Sequence, residues 1–171
     1  MSDSSTATTR QYYHRHDIYD QMVSDWEIFD SLVDFFVFSA SVGYAVSDRP
    51  TVNTYADKEF QGKTDEGTQG EMLWMHFTDK PTYRAVAASI AYQHTSDSSA
   101  LVEPETQLEV LARYAHAGAM RLDREFGDAA NPPRDGLVSF IDKFHEADGT
   151  TDNEDILSQI VDSFDSDMMS S

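Results

Sequence analysis

The segment 28–46 constrains the fold more than any other part of the chain, because it is apolar on nearly all sides. One set of its apolar residues follows helical spacing, and a second set fills most of the opposite side. The first set is Phe29, Leu32, Val33, Phe36, Val37 and Ala40, and the second is Phe35, Phe38 and Val42. A helix of this kind is normally central in its domain. We expect Asp25 to cap it and Gly43 to mark its end.

Other segments carry apolar residues at helical spacing, with helix-start and helix-stop signals around them. They are a short helix from Asp17 and longer ones over 81–94, 104–126, 135–145 and 156–164. Pro81 and Pro104 suit first helical turns, Asp135 suits a cap, and Gly127 suits the residue after a helix. On the 104–126 helix, the spacing predicts i,i+4 ion pairs of Glu109 with Arg113 and Arg121 with Glu125.

These segments predict a mainly α protein, a compact single-domain bundle of five or six helices. Residues 47–77 are expected to form a long irregular loop or a small hairpin, since they are polar and contain several glycines. We assign 1–10 to a disordered N-terminal tail, 11–165 to one helical domain and 166–171 to a frayed C-terminus.

The charge balance is extreme. The chain has 31 acidic and 12 basic residues, a formal net charge of −19, and among these are 21 Asp and only four Lys. Molar salt shortens the Debye length to about 3 Å and screens the self-repulsion of such a surface. The composition therefore predicts a salt-adapted cytoplasmic protein of the halophilic archaeal type. It also disfavours autonomous DNA binding, which rests on Lys and Arg.

Several function classes lack their sequence signals. The chain has no Cys, and therefore neither disulfides nor thiolate metal sites. Its first residues do not resemble a signal peptide, and no apolar run reaches the ~18–20 residues of a membrane span. Neither a phosphate-binding glycine loop nor a nucleophile elbow is present. We expect a cytoplasmic protein that is not an enzyme, has no catalytic residues and takes no cofactor or membrane partner.

Histidines are the candidate metal ligands of this sequence. His14 and His16 form a His-x-His pair beside Asp17, which suits weak divalent-metal binding. Because they follow the expected tail and a site normally needs three or four fixed ligands, we interpret them as two exposed histidines and predict no metal site. His116 has neither a His-x-x-x-His nor a Glu-x-x-His partner, and is interpreted as a half-buried structural residue.

Partner contacts have weaker candidates. The aromatic residues of 28–46 are expected in the core, which leaves Tyr12, Tyr13 and Trp26 as candidates for docking a partner protein. Four arginines could form a small DNA-contacting patch: Arg113, Arg121, Arg124 and Arg134. The triplet Asp57-Lys58-Glu59 resembles part of a metal-dependent nuclease site, but its segment reads as a loop.

Three segments, 29–49, 85–126 and 132–144, resemble in order and spacing the small family called dnd system-associated protein 4. The shared pattern includes an aliphatic helix that ends with Gly and Tyr, here Ala40 to Tyr44. A later helix contains Tyr-Ala-x-x-Gly, here Tyr114, Ala115 and Gly118. The resemblance covers most of 17–145 and rests on apolar and small residues. The chain departs from it at Ser96, where the family more often has Gly before Asp.

This resemblance implies a non-enzymatic accessory or assembly subunit of a DNA phosphorothioate-dependent restriction system, an antiviral defence. Its expected partners are the larger ATPase, helicase and nuclease subunits, and it would meet DNA only indirectly or through the complex. A homodimer stays open. Alternatives are a DNA-contacting regulator within the same complex, or a DNA-mimicking one whose carboxylates occupy a partner's DNA channel. A metal-dependent nuclease has the weakest support.

Overall fold

The computed structural model describes residues 9–46, 63–64 and 67–147. Five helices and three strands are found there, in the chain order β1, α1, α2, β2, β3, α3, α4, α5. The strands are β1 (Arg10–His16), β2 (Lys63–Thr64) and β3 (Gly67–Leu73). The helices are α1 (Asp17–Asp20), α2 (Leu32–Val46), α3 (Pro81–Thr95), α4 (Pro104–Phe126) and α5 (Arg134–Ala147). Gln21–Asp25 forms a π-helical turn. Trp74–His76 and Ser98–Leu101 form 3₁₀-helical turns.

The mainly α prediction is confirmed. For residues 47–77 the sequence allowed a loop or a small hairpin. The described residues of this range include the hairpin, since β2 and β3 pair antiparallel. Within the described ranges, no helix combines the length and apolarity that crossing a membrane requires. The predicted 156–164 helix, residues 1–8 and 166–171, and the Asp57-Lys58-Glu59 triplet lie outside the described residues.

Helices α2 and α4 form the centre of the core and approach each other through two glycines. A Cβ on Gly43 would lie 1.9 Å from the Tyr114 carbonyl oxygen, and one on Gly118 would lie 1.7 Å from the Ser39 carbonyl oxygen. Backbone therefore meets backbone at this crossing. The prediction that Gly43 ends its helix was wrong: the helix continues to Val46, and the glycine serves close packing.

The start of α2 also differs from the prediction. Asp25 ends a π-helical turn over Gln21–Asp25 and does not cap α2, because α2 begins only at Leu32. There the Ser31 hydroxyl accepts a hydrogen bond from the Asp34 backbone N–H, 3.3 Å away. Ser31 therefore satisfies one of the donors that a helix start leaves open.

The later helix boundaries match the prolines. Helix α3 starts at Pro81 and α4 at Pro104, as predicted. The C-cap of α3 is Ser96, which adopts the left-handed conformation at φ 59°. Gly127 follows α4 as expected, but with φ −59° it is right-handed and does not use its conformational freedom. Helix α5 begins one residue before the expected cap, Asp135.

A three-stranded sheet in the order β1-β3-β2 was not predicted for the N-terminal segment. Strand β1 pairs antiparallel with β3 from Arg10 opposite Leu73 to His16 opposite Gly67. Arg10 therefore belongs to a strand and not to a tail. Gly70 lies opposite Tyr13, and a Cβ there would be 2.4 Å from the tyrosine ring, so the glycine leaves room for that ring.

Candidate metal centre

Two histidines of strand β1 face helix α4. Side chains of a strand alternate between its faces, so His14 and His16 share one face while Tyr13 lies on the other. The histidines face α4, where His116 stands about midway along the helix. His14 is 1% and His16 5% exposed, and His116 is half-buried. The fold thus places three imidazoles from distant parts of the chain in one largely buried group.

The three rings are in direct contact. The Nε2 of His16 lies 2.9 Å from the Nδ1 of His116, a hydrogen bond in which one nitrogen donates and the other accepts. Ring centroids are 4.0 Å apart for His14 and His16, and 5.3 Å apart for His14 and His116. One ligand atom from each histidine lies within 4.8 Å of the other two. Among the described residues this is the one group of three metal-binding side chains that converges in this way.

The surroundings keep the strand histidines neutral. Burial, with a smaller contribution from His116, lowers the pKa of His14 from 6.5 to about 4. Burial, then His14 and His116, lower the pKa of His16 to about 3. Neutral imidazole is the form that binds a metal ion, because the lone pair must be available. His14 and His16 are therefore held in their ligand form down to mildly acidic pH.

Without metal, these lowered pKa values have a defined effect on stability. The unfolded chain takes up protons on both histidines below about pH 6.5, whereas the folded chain does not until about pH 4. Between these values the unfolded state binds more protons, so acidification destabilises the fold. The contribution of these two histidines to the free energy of unfolding is therefore most favourable above the unfolded pKa of 6.5, and it declines as the pH falls below that pKa.

The donor set suits a borderline transition metal. Three imidazole nitrogens favour Zn²⁺, Cu²⁺, Ni²⁺ or Co²⁺ over Mg²⁺ and Ca²⁺, which prefer oxygen ligands. Tetrahedral Zn²⁺ with Zn–N bonds of about 2.0–2.1 Å needs nitrogen atoms about 3.3 Å apart. The His16–His116 separation of 2.9 Å is already close to this value. Rotation of the rings, with a shift of the donating imidazole to its other tautomer so that the proton moves to its second nitrogen, would turn all three nitrogens toward an ion.

The prediction that His14 and His16 are exposed was wrong. It treated the pair as the end of a disordered tail, but strand pairing with β3 and packing on α4 bury both rings. His116 is a half-buried residue, as predicted, yet its hydrogen-bond partner His16 lies 100 residues away in sequence and not at helical spacing. The aromatic, alternating stretch 11–16 carried a β signal that the helical periodicity of the chain obscured.

The predicted docking residues lie in different environments. Tyr13 is 2% exposed and packs on Tyr19 and Phe36, with ring centroids 5.4 and 5.0 Å away. Burial raises its pKa to about 12. The docking prediction for Tyr13 was therefore wrong, because the ring belongs to the core. Tyr12 and Trp26 are half-buried, and Trp26 packs against the core cluster.

Three of the four predicted DNA-contacting arginines are engaged within the fold. The predicted ion pairs are confirmed: Arg113 lies 2.9 Å from Glu109, and Arg121 lies 3.2 Å from Glu125. Both pairs reduce the positive charge that α4 offers to a phosphate.

The remaining two arginines differ from each other. Arg134 donates hydrogen bonds to the backbone carbonyls of Trp26 and Glu27, each at 3.3 Å. Arg124 is exposed. The DNA-contact role of the four arginines stays a prediction.

No protein-family model, curated protein or solved structure matches this chain. The residues that carry the resemblance to the dnd system-associated family meet at the α2–α4 crossing. Gly43 and Gly118 allow the close approach there, and the rings of Tyr44 and Tyr114 pack edge to face with centroids 5.4 Å apart. The shared pattern thus describes one packing contact, and membership of the family stays a prediction.

Proposed function

We propose that the chain binds one transition-metal ion, Zn²⁺ foremost, through His14, His16 and His116. The observation that carries this proposal is the convergence of three buried imidazole groups from strand β1 and helix α4. This proposal replaces our initial expectation of no metal and no cofactor. The ion has a structural role, because it links strand β1 to helix α4 through their histidines.

A structural role follows from the burial of the ligands. With His14 and His16 almost fully covered, a substrate has little access to the ion. A bound ion would instead add its binding free energy to folding, since the unfolded chain cannot hold the three ligands together. At a free Zn²⁺ concentration 100 times the Kd, this stabilisation is about 2.7 kcal/mol.

Metal titration of the untagged, chelator-stripped protein in molar KCl tests the proposal. We expect one Zn²⁺ or Co²⁺ per chain, a visible Co²⁺ absorption band and a higher melting temperature. His14→Gln and His116→Gln should each weaken binding strongly. His76→Gln is the matched control, because His76 is exposed and lies outside the group. A wild-type stoichiometry near zero, or equal affinity in all four proteins, would contradict the proposal.

A second candidate function is the accessory subunit of a DNA phosphorothioate-dependent restriction system, acting by protein–protein contact and without enzymatic activity. What favours it is that the shared residues Ala40–Tyr44 and Tyr114–Gly118 occupy one helix crossing, as a fold-defining pattern should. Affinity purification under native salt should recover the larger ATPase, helicase or nuclease subunits. Recovery of none would count against it.

The alternatives within that complex give different results. A DNA-contacting subunit requires that charge reversal of Arg113, Arg121, Arg124 and Arg134 weakens DNA retention by the assembled complex. A DNA mimic requires that the protein competes with DNA for a partner subunit.

A further inference from the structure

The three histidines supply a neutral ligand set of three imidazole nitrogens. Their ligand atoms converge within 4.8 Å of one another, and an imidazole must be neutral to coordinate a metal ion. We infer that this group also binds reduced copper, Cu⁺, and that under reducing conditions Cu⁺ displaces Zn²⁺ from it. This inference rests on the proposed function of the three histidines. Zn²⁺ remains the expected ion where reduced copper is absent.

The burial of the ligands favours an ion of low charge. His14 and His16 are 1% and 5% exposed, so an ion between them is largely removed from water. Neutral ligands do not compensate its charge, which is +1 for Cu⁺ and +2 for Zn²⁺. The free energy of transferring an ion out of water rises with the square of its charge, and even a single buried charge is costly. The monovalent ion is therefore the easier one to bury here.

The number of nitrogens favours the same ion. Structural Zn²⁺ is almost always four-coordinate, so three histidines leave one of its positions for a further ligand. Cu⁺ has a closed shell and accepts three-coordinate geometry, and imidazole nitrogen suits copper. The Nε2 of His16 and the Nδ1 of His116 are already 2.9 Å apart. Oxidised copper prefers a tetragonal arrangement, so the three nitrogens favour the reduced state.

Access and competing ligands can be read from the same part of the fold. The half-buried ring of His116 gives an ion a route from solvent. Thioether sulfur is a soft ligand that also binds Cu⁺. Met75 and Met120 are 53% and 42% exposed, and Met120 lies about one helical turn after His116 on α4. These two methionines are therefore the controls for copper that is bound outside the histidine group.

Competition between the two ions on the untagged protein tests the inference. Zn²⁺-loaded protein receives one equivalent of Cu⁺ under argon with ascorbate, in molar sodium sulfate because chloride complexes Cu⁺. Elemental analysis after desalting should find copper in place of zinc, and electron paramagnetic resonance should detect no Cu²⁺. Titration against a chromogenic Cu⁺ chelator should give a Kd lower than that for Zn²⁺ by about a hundredfold or more, because the smaller charge is less costly to bury.

Five variants locate the bound copper. His14→Gln and His16→Gln leave two imidazoles, and each should weaken Cu⁺ binding by about tenfold or more. His76→Gln, Met75→Leu and Met120→Leu should bind Cu⁺ as the wild type does. The competition on wild-type protein needs no variant, so it decides the question even if a histidine variant does not fold.

Two results overturn the inference while leaving the three-histidine site intact. One is wild-type protein that keeps its zinc and takes up no Cu⁺. The other is Cu⁺ binding that is lost in a methionine variant and retained in the histidine variants, since that places the copper on thioether sulfur. Wild-type protein that binds neither ion overturns the proposed function itself, and the inference with it.

Discussion

The glycine at position 118 offers the sharpest test of how this fold is held together. In Gly118→Ala, the new Cβ would lie 1.7 Å from the Ser39 carbonyl oxygen, whereas ordinary contact begins near 3.4 Å. The obstructing atom belongs to the backbone of α2, so no side-chain rotation can relieve the clash. The two central helices must separate by about 1.7 Å at their closest point.

Two opposing effects set the change in the free energy of unfolding of Gly118→Ala. Alanine in place of glycine favours the helix by about 1 kcal/mol. Overpacking of a core costs about 1–3 kcal/mol and occasionally more, and a rigid backbone contact belongs at the upper end. Separation also loosens the burial around Tyr44 and Tyr114. We expect a net loss of about 2–3 kcal/mol, which lowers the melting temperature of a chain of this size by about 5–10 °C.

Urea and thermal unfolding of the metal-free protein in molar KCl measure this loss. Gly136→Ala is the matched control, because Gly136 is an exposed residue in the first turn of α5. There the new Cβ meets only side-chain atoms at 3.2 Å or more, the nearest being on Phe126. It should range from neutral to about 1 kcal/mol more stable than wild type, because the helix-propensity gain applies here without the backbone clash. A Gly118→Ala variant as stable as wild type would show that the α2 backbone leaves room for a methyl group at this crossing, which refutes the close backbone contact.

Three further outcomes are expected. The metal-free protein should lose stability between pH 6.5 and 5 by up to about 1.4 kcal/mol per pH unit for each of His14 and His16, because both stay neutral when folded. His16→Gln should flatten this slope, and a slope equal to that of wild type would contradict the burial argument. Asp34→Ala should cost about 1–3 kcal/mol, since Asp34 accepts a 2.6 Å hydrogen bond from the Tyr83 hydroxyl and pairs with Lys80; an exposed control, Asp30→Ala, should change little. The melting temperature should rise steeply from low to multimolar KCl, and a melt independent of salt would refute the screening argument.

The helices were the most predictable part of the structure. Apolar spacing over 81–94 and 104–126, with Pro81 and Pro104 at their starts, placed α3 and α4 almost to the residue. These signals are local, because a helix satisfies its backbone within one continuous segment. The all-round apolar character of 28–46 likewise identified the helix that lies at the centre.

The positions that depend on a distant partner were not predictable. The sequence predicts a helix end at Gly43, because a sequence cannot show that the backbone of α4 occupies the space where a side chain would lie. Tyr13 read as a docking residue for the same reason, because the sheet and core that cover it lie far away in sequence.

The sequence by itself determined the helical class, the acidic surface and the types of metal ligand present. Only the tertiary structure decided that three of the histidines form a group. The pairing of β1 with β3 fixes which face His14 and His16 share, and the packing of that face on α4 brings in His116. A metal site is defined by distances of a few ångströms between side chains, and residues 100 positions apart acquire such distances only when the chain folds.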